Sequence, residues 1–176
     1  HNALQKLEIK YKCVSNQVHP SKFTDKQGNP LTEVSVNGLG TQHEDTRPSD
    51  KYLFEDVFFD SLLEKQNIKE EIESVTVFSK IPRNSIKIPV AGGYTYSPDF
   101  AYIIKTSEGE ILNLIIETKG FKGTENLRRE EQQKIKYAEK FFNHLNNKDG
   151  LSLNFTTQFQ DKRIIDIIKK ALDKSV

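Results

Sequence analysis

Apolar positions in this chain recur at every second residue in some stretches and at every third or fourth in others, so both strands and helices are expected. Leu4 to Val14 alternate imperfectly and read as a strand. A second run, Leu31 to Val36, follows the turn signal Gly28-Asn29-Pro30. Residues 37–50 are polar and rich in turn formers. They predict an N-terminal appendage of short strands and a polar loop over residues 1–48, with the main domain over 49–176. That domain should open with a helix just after Pro48, capped by Ser49 or Asp50 and burying Leu53, Phe54, Val57, Phe58 and Leu62. Glu55 lies beside the apolar face.

Val75 to Phe78 reads as a strand closed by Ile81-Pro82, and a basic connection punctuated by proline and glycine runs from Arg83 to Gly93. Two strands follow in direct succession, from about Tyr94 to Thr106 and from Ile111 to Glu117, with the hairpin signal Ser107-Glu108-Gly109-Glu110 between them. A helix from about Asn126 to Asn146 carries Ile135, Ala138, Phe142 and Leu145 at spacings of three and four. Leu153 to Thr156 can form a last short strand, and Ile164, Ile165, Ile168, Ala171 and Leu172 mark a closing amphipathic helix. Helix, three strands, helix, strand, helix is an α/β order, and it predicts a mixed central β-sheet flanked by helices. No phosphate-cradling glycine loop of the P-loop type occurs, so an ATP-driven motor would lie outside this chain.

Composition narrows the function classes. The 176 residues suffice for one domain with a substantial core. With 35% hydrophobic and 29% charged residues, the chain has the make-up of a folded globular protein. No apolar run approaches the roughly eighteen residues of a membrane span. Cys13 is the sole cysteine, which excludes an internal disulfide and a cysteine-based zinc site and suggests a reducing, cytoplasmic setting. A net charge of +1 argues against charge-driven, histone-like DNA binding, but a catalytic groove needs only local positive charge. The chain contains no methionine and starts at His1-Asn2-Ala3, so it reads as a piece of a longer polypeptide whose first residues are a cloning scar.

The hairpin gathers the candidate chemistry. With a three-residue loop of Ser107, Glu108 and Gly109, and Gly109 in the left-handed position, Thr106 faces Glu110 and Asp99 faces Glu117. Opposed residues on antiparallel strands project to one face with Cβ atoms about 4.5–5.5 Å apart. Lys119 follows Glu117 by two and shares that face. A two-residue loop would break the alignment. Two adjacent carboxylates repel each other in a half-buried setting, and a hard divalent ion such as Mg²⁺ suits the resulting oxygen site. Such an ion can polarise a phosphodiester and activate a bound water, while a neighbouring lysine orients that water or neutralises charge. The bland alternative is a surface salt-bridge cluster of little energetic value.

Ser97-Pro98-Asp99-Phe100-Ala101-Tyr102 followed by Leu114-Ile115-Ile116-Glu117-Thr118-Lys119-Gly120 resembles the nuclease core of the PD-(D/E)xK superfamily. More narrowly it is similar to the C-terminal endonuclease domain of the Res subunit of type III restriction-modification enzymes, where a Tyr-Asn-Pro-Asp-Trp-Ala segment precedes an apolar strand ending in Glu-Thr-Lys-Gly. Lys80-Ile81-Pro82, Lys87-Ile88-Pro89 and Glu131-Gln132-Gln133-Lys134-Ile135 match further signposts of that family, and the resemblance covers about residues 50–157. Ser97 stands where asparagine is common, Phe100 replaces tryptophan, and the usual Cys-Gly after Lys134-Ile135 is missing.

The resemblance implies a restriction-endonuclease-like fold and Mg²⁺-dependent cleavage of double-stranded DNA. It implies Asp99, Glu117 and the Thr118 carbonyl as metal ligands, and Lys119 as the residue that handles the attacking water. A further carboxylate from the first helix would be Glu55, with Glu64 as the alternative. It also implies a bacterial or archaeal cytoplasmic enzyme with a helicase-like domain in the same parent polypeptide and a methyltransferase/specificity (Mod) subunit as partner.

Lys134, Arg128, Arg129, Lys80, Arg83 and Lys87 are candidates for DNA contact, weighed against ordinary solvated charge. Gln133 and Tyr137 match a short motif of RecB-like exonucleases. The histidines His19, His43 and His144 lack metal-ligand spacing. An exonuclease or structure-specific relative, a non-catalytic DNA-binding module and an assembly domain are the rival readings.

Overall fold

A computed structural model describes residues 25–33, 39–83, 86–90, 93–109, 111–123, 125, 127–149 and 153–173. The expected strand over Leu4 to Val14 lies outside the described residues, and the one over Leu31 to Val36 runs out of them after Glu33. Two short strands, β1 (Thr41–Gln42) and β2 (Phe58–Phe59), pair antiparallel ahead of helix α1 (Leu62–Lys69). Then follow β3 (Val75–Lys80), a small hairpin of β4 (Ile88–Pro89) and β5 (Thr95–Tyr96), and the long hairpin of β6 (Phe100–Lys105) and β7 (Ile111–Lys119). Helix α2 (Arg129–Asp149), strand β8 (Leu153–Phe159) and helix α3 (Ile164–Asp173) complete the described chain.

The central sheet has the order β3-β6-β7-β8. Its first three strands are antiparallel neighbours, whereas β8 lies parallel to β7 because α2 carries the chain back across one face. Alternation along β6 and β7 splits the sheet into two cores. Phe100, Tyr102, Ile104, Leu112, Leu114 and Ile116 point to the side covered by Ile68 of α1 and by Ile164 and Ile168 of α3. Ile115 and Ala101 meet Ala138 and Phe142 of α2 together with Ile88 and Tyr96 of the small hairpin. The mixed sheet flanked by helices is the expected architecture.

The first helix starts later than its pattern predicts. Ser49 to Asp60 is not helical, and α1 begins only after Ser61, whose hydroxyl accepts from the Glu64 N–H at 3.2 Å. The reason lies in the backbone donors upstream. Leu53 donates to Phe78 O, and Phe78 donates to Lys51 O, each at 2.9 Å, so the chain around Tyr52 is bridged to the β3 edge and its donors are not free for a helix. Its bulky side chains Tyr52, Val57 and Phe59 suit an extended backbone as well as a helix and fill the first core from there.

The β6–β7 turn has the geometry that the glycine demanded. Gly109 has φ +84° and donates its N–H to Thr106 O at 3.0 Å, closing a turn with the third loop residue left-handed. Lys105 pairs with Ile111 and Phe100 with Ile116, so the register holds along the hairpin. Glu110 itself lies outside the described residues.

Candidate active site

The β6–β7 ladder ends at the Phe100–Ile116 pair, and Asp99 and Glu117 are the next residues on either side of it, close enough for the Asp99 charge to act on Glu117. Asp99 sits where Pro98 ends the preceding segment, and its backbone is held from both sides. Its N–H donates to Ile116 O at 3.0 Å, and its carbonyl accepts from the Ile81 N–H at 2.7 Å. The side chain is set by Thr118, whose N–H and hydroxyl both donate to Asp99 Oδ2, at 2.7 and 2.6 Å. Glu117 is 6% exposed near the end of β7. Its Oε1 lies 2.8 Å from Lys119 Nζ and its Oε2 accepts from the Tyr96 hydroxyl at 2.7 Å. Lys119 Nζ is also 3.5 Å from Glu131 in the first turn of α2.

Burial governs the charges here. It raises the Glu117 carboxyl to about 7, the nearby Asp99 charge adds to that rise, and Lys119 and Tyr96 hold it back. Burial likewise raises Asp99 above the ordinary aspartate range against the pull of its two Thr118 donors, with the charge of Glu64 pushing the same way. For Lys119 burial acts downward, but Glu117, Glu131 and Asp99 together outweigh it and raise the ammonium above its usual value. Lys119 is therefore a cation that donates, not a base at neutral pH. Tyr96 is raised by burial and by Glu117, so its hydroxyl keeps its proton and donates.

The first helix offers Glu64 as its candidate carboxylate. It is 7% exposed in α1, and its charge acts on Asp99. Glu64 Oε2 accepts from Lys80 Nζ at 2.7 Å and from the Asp60 N–H at 2.8 Å. Glu55, the first choice from the sequence, is exposed in the irregular segment before α1 and lines a depression with Pro30, Leu31 and Asp56. Its assignment rested on a helix that does not form there, so Glu64 replaces it as the candidate.

The donor set fits a hard divalent ion. Asp99 just ahead of β6, Glu117 on β7 and Glu64 on α1 are oxygen donors, and burial holds the first two above their ordinary carboxylate range. Among the described residues no group of three or more His, Cys, Asp or Glu side chains is placed to hold a metal ion, so Asp99 and Glu117 make at most a two-carboxylate site as they stand. Backbone and water oxygens would therefore have to complete the shell, the usual state of protein-bound Mg²⁺.

Residues 50–162 match the family model described as an endonuclease domain. The chain belongs to the endonuclease-domain family. It is 51% identical over 174 residues to the EcoP15I Res subunit of the type III restriction-modification enzyme of Escherichia coli, which is 98% of this chain and 18% of that protein. The EcoPI Res subunit of Escherichia phage P1 is matched at the same identity and coverage. The StyLTI Res subunit of Salmonella typhimurium is 36% identical over 73 residues, 42% of this chain and 7% of that one. The chain thus spans 18% of the length of the first two relatives. No solved structure matches the chain.

Around the endonuclease domain's acidic centre, the basic candidates divide. Arg128 and Arg129 are exposed at the start of α2, and Lys87 is exposed beside β4. Lys134 is half-buried on α2, where it lines a depression with Tyr94, Thr95 and Gln133. Arg83 is largely exposed and reaches Asp60 at 2.9 Å. Lys80 does not belong with them. It is 5% exposed and paired with Glu64 and Asp60, so a phosphate cannot reach it. His43 stacks on Phe59 with centroids 3.6 Å apart, and His19 lies outside the described residues.

Two residues at the centre escaped the sequence reading. Tyr96 stands in the tyrosine position of the family's Tyr-Asn-Pro-Asp segment, a signal that was present and unused. Glu131 enters the sequence analysis only as the first residue of the Glu131-Gln132-Gln133-Lys134-Ile135 signpost, with no role of its own. No helix among the described residues is long and apolar enough to cross a membrane.

Proposed function

We propose that this chain hydrolyses DNA phosphodiester bonds internally, with Mg²⁺, as the cutting module of a type III restriction-modification enzyme. The observation that carries the reading is half-buried Asp99, just ahead of β6, beside buried Glu117 on β7, with the Lys119 ammonium 2.8 Å from Glu117. A purely structural role gives no reason to place one carboxylate where it raises a second, buried one.

Asp99 and Glu117 would hold the ion, with Thr118 contributing its carbonyl and Glu64 a further carboxylate. A bound divalent ion supplies Lewis-acid polarisation of the phosphate and a water of lowered pKa. Lys119, charged and fixed between two carboxylates, donates to the attacking water and offsets the negative charge that grows on the phosphate. Thr118 keeps Asp99 oriented so that the acids converge. Arg128, Arg129, Lys87, Arg83 and Lys134 would contact the DNA backbone, and such contacts position without reading sequence. Site choice would therefore belong to a Mod-type partner, and ATP use to a helicase-like region of the parent polypeptide.

Covalently closed plasmid separates this reading from an exonuclease, because a circle has no ends. Wild type should convert supercoiled plasmid to nicked and linear forms only with Mg²⁺, and Asp99→Asn and Lys119→Ala should abolish this while melting like wild type. Equal cutting by the folded variants overturns the proposal.

A further inference from the structure

The small β4–β5 hairpin lies outside the central sheet, with only two residues in each strand, yet it reaches the middle of the site. Its Ile88 and Tyr96 pack with Ile115, Ala138 and Phe142, which pins the hairpin between the sheet and α2. From that anchored position the Tyr96 hydroxyl donates to Glu117 Oε2. The other oxygen of Glu117 faces Lys119. Two donors on different elements therefore fix the plane of the carboxylate, one from two residues along its own strand and one from the hairpin. A tyrosine serving only to fill space has no need of this: Tyr102, buried in the other core, has no hydrogen-bond partner for its hydroxyl among the described residues.

We propose that Tyr96 is a positioning residue for metal binding by Glu117, and that the β4–β5 hairpin exists at this point of the fold to hold that carboxylate in its ion-gripping orientation. The inference rests on the metal-dependent reading above. A carboxylate that is already hydrogen-bonded from behind loses little rotational freedom when it takes an ion, and it offers its remaining lone pairs in one direction. Loss of such an outer partner commonly weakens metal binding by about 10- to 100-fold. The effect belongs to the hydroxyl alone, because phenylalanine keeps the ring and its packing.

The test is calorimetric titration of Mg²⁺ and Mn²⁺ into the chain as wild type, Tyr96→Phe and Tyr102→Phe, with thermal melts alongside. Tyr96→Phe should stay folded and bind metal about tenfold or more weakly, while Tyr102→Phe binds like wild type. Wild-type affinity in folded Tyr96→Phe overturns the proposal, and so does an equal loss in both variants. Should Tyr96→Phe fail to fold, wild type carrying ¹³C-labelled tyrosine gives a second reading. Saturating metal should then move the Tyr96 ring signals and leave those of Tyr102 in place, and a Tyr96 signal indifferent to metal sinks the idea. No metal binding at all by folded wild type overturns the metal-dependent reading, and this proposal falls with it, so the two failures are told apart.

Discussion

Thr118 commits both of its donors to one oxygen of Asp99, the N–H at 2.7 Å and the hydroxyl at 2.6 Å. These bonds favour the charged carboxylate against a burial that works to protonate it. Valine at 118 keeps the N–H and the branched shape and deletes only the hydroxyl. Asp99 should then protonate more readily and turn more freely. We expect Thr118→Val to lower Mg²⁺-dependent plasmid cleavage by about tenfold near neutral pH, while Thr118→Ser retains most of it. Nicking time courses on variants of matched melting temperature decide this, and wild-type rates for Thr118→Val would remove the hydroxyl from the account.

Lys119 stands between Glu117 and Glu131, at 2.8 and 3.5 Å, and is raised by both. Glu131 is partly exposed, so its hold is worth at most about 1 kcal/mol. Glu131→Gln should accordingly slow cleavage at saturating metal and DNA by up to about fivefold, with DNA affinity unchanged. Gel-shift measurement in Ca²⁺ beside single-turnover cleavage in Mg²⁺ checks both halves. A drop in DNA affinity with an intact rate would make Glu131 a groove residue and not a support for Lys119.

The legible parts of the site were those that local rules determine. Gly109 sets the turn, and the turn sets the register as far as the Phe100–Ile116 pair, which leaves Asp99 and Glu117 as the next residues on either side. The segment from Ser49 to Asp60 was not legible, because its aromatic and β-branched residues satisfy a helical period while the β3 edge offers partners for an extended chain. That single ambiguity displaced the helix start, and with it the acidic candidate moved from Glu55 to Glu64. Tyr96 and Glu131 were missed for a different reason. Each acts through tertiary contact between elements, which periodicity along the chain does not report, although for Tyr96 the likeness to the Tyr-Asn-Pro-Asp segment marks the position. Lys80 misled because a basic residue beside a predicted groove looks exposed, and only the fold shows that Asp60 and Glu64 enclose it.

Lys80 and Glu64 form a buried ion pair at 2.7 Å, with side-chain exposures of 6% and 9%. Removing one partner of such a pair strands a charge in the interior and typically costs about 3 kcal/mol or more, whereas replacing both by apolar groups costs far less. Lys80→Met should therefore destabilise the chain strongly, and Lys80→Met/Glu64→Leu should recover most of the loss. Urea denaturation of the four members of this cycle measures it. If the double variant is as unstable as Lys80→Met alone, the pair is not the source of the effect. The recovered double variant should still cleave poorly, because it lacks the carboxylate proposed as a further metal ligand.

Glu117 also sets an expected pH dependence. Its carboxyl is raised from 4.5 to about 7 in the fold, so between those values the native state holds a proton that the unfolded chain has released. Where the native state binds more protons, stability falls as pH rises. The contribution of this group is thus fully present below about 4.5 and is lost as pH climbs through about 7. A metal ion needs the ionised carboxylate and must expel that proton, so its apparent affinity should climb by up to about tenfold per pH unit below neutrality and level off above. Melting curves with Mg²⁺ or with EDTA, from about pH 6 to about pH 8, should show a metal-induced rise in Tm that grows with pH. Glu117→Gln has no proton to expel at this position, and its smaller metal effect should be flatter across the same range. A wild-type Tm increment that is constant from acid to alkaline buffer would mean that Glu117 does not exchange its proton for the ion.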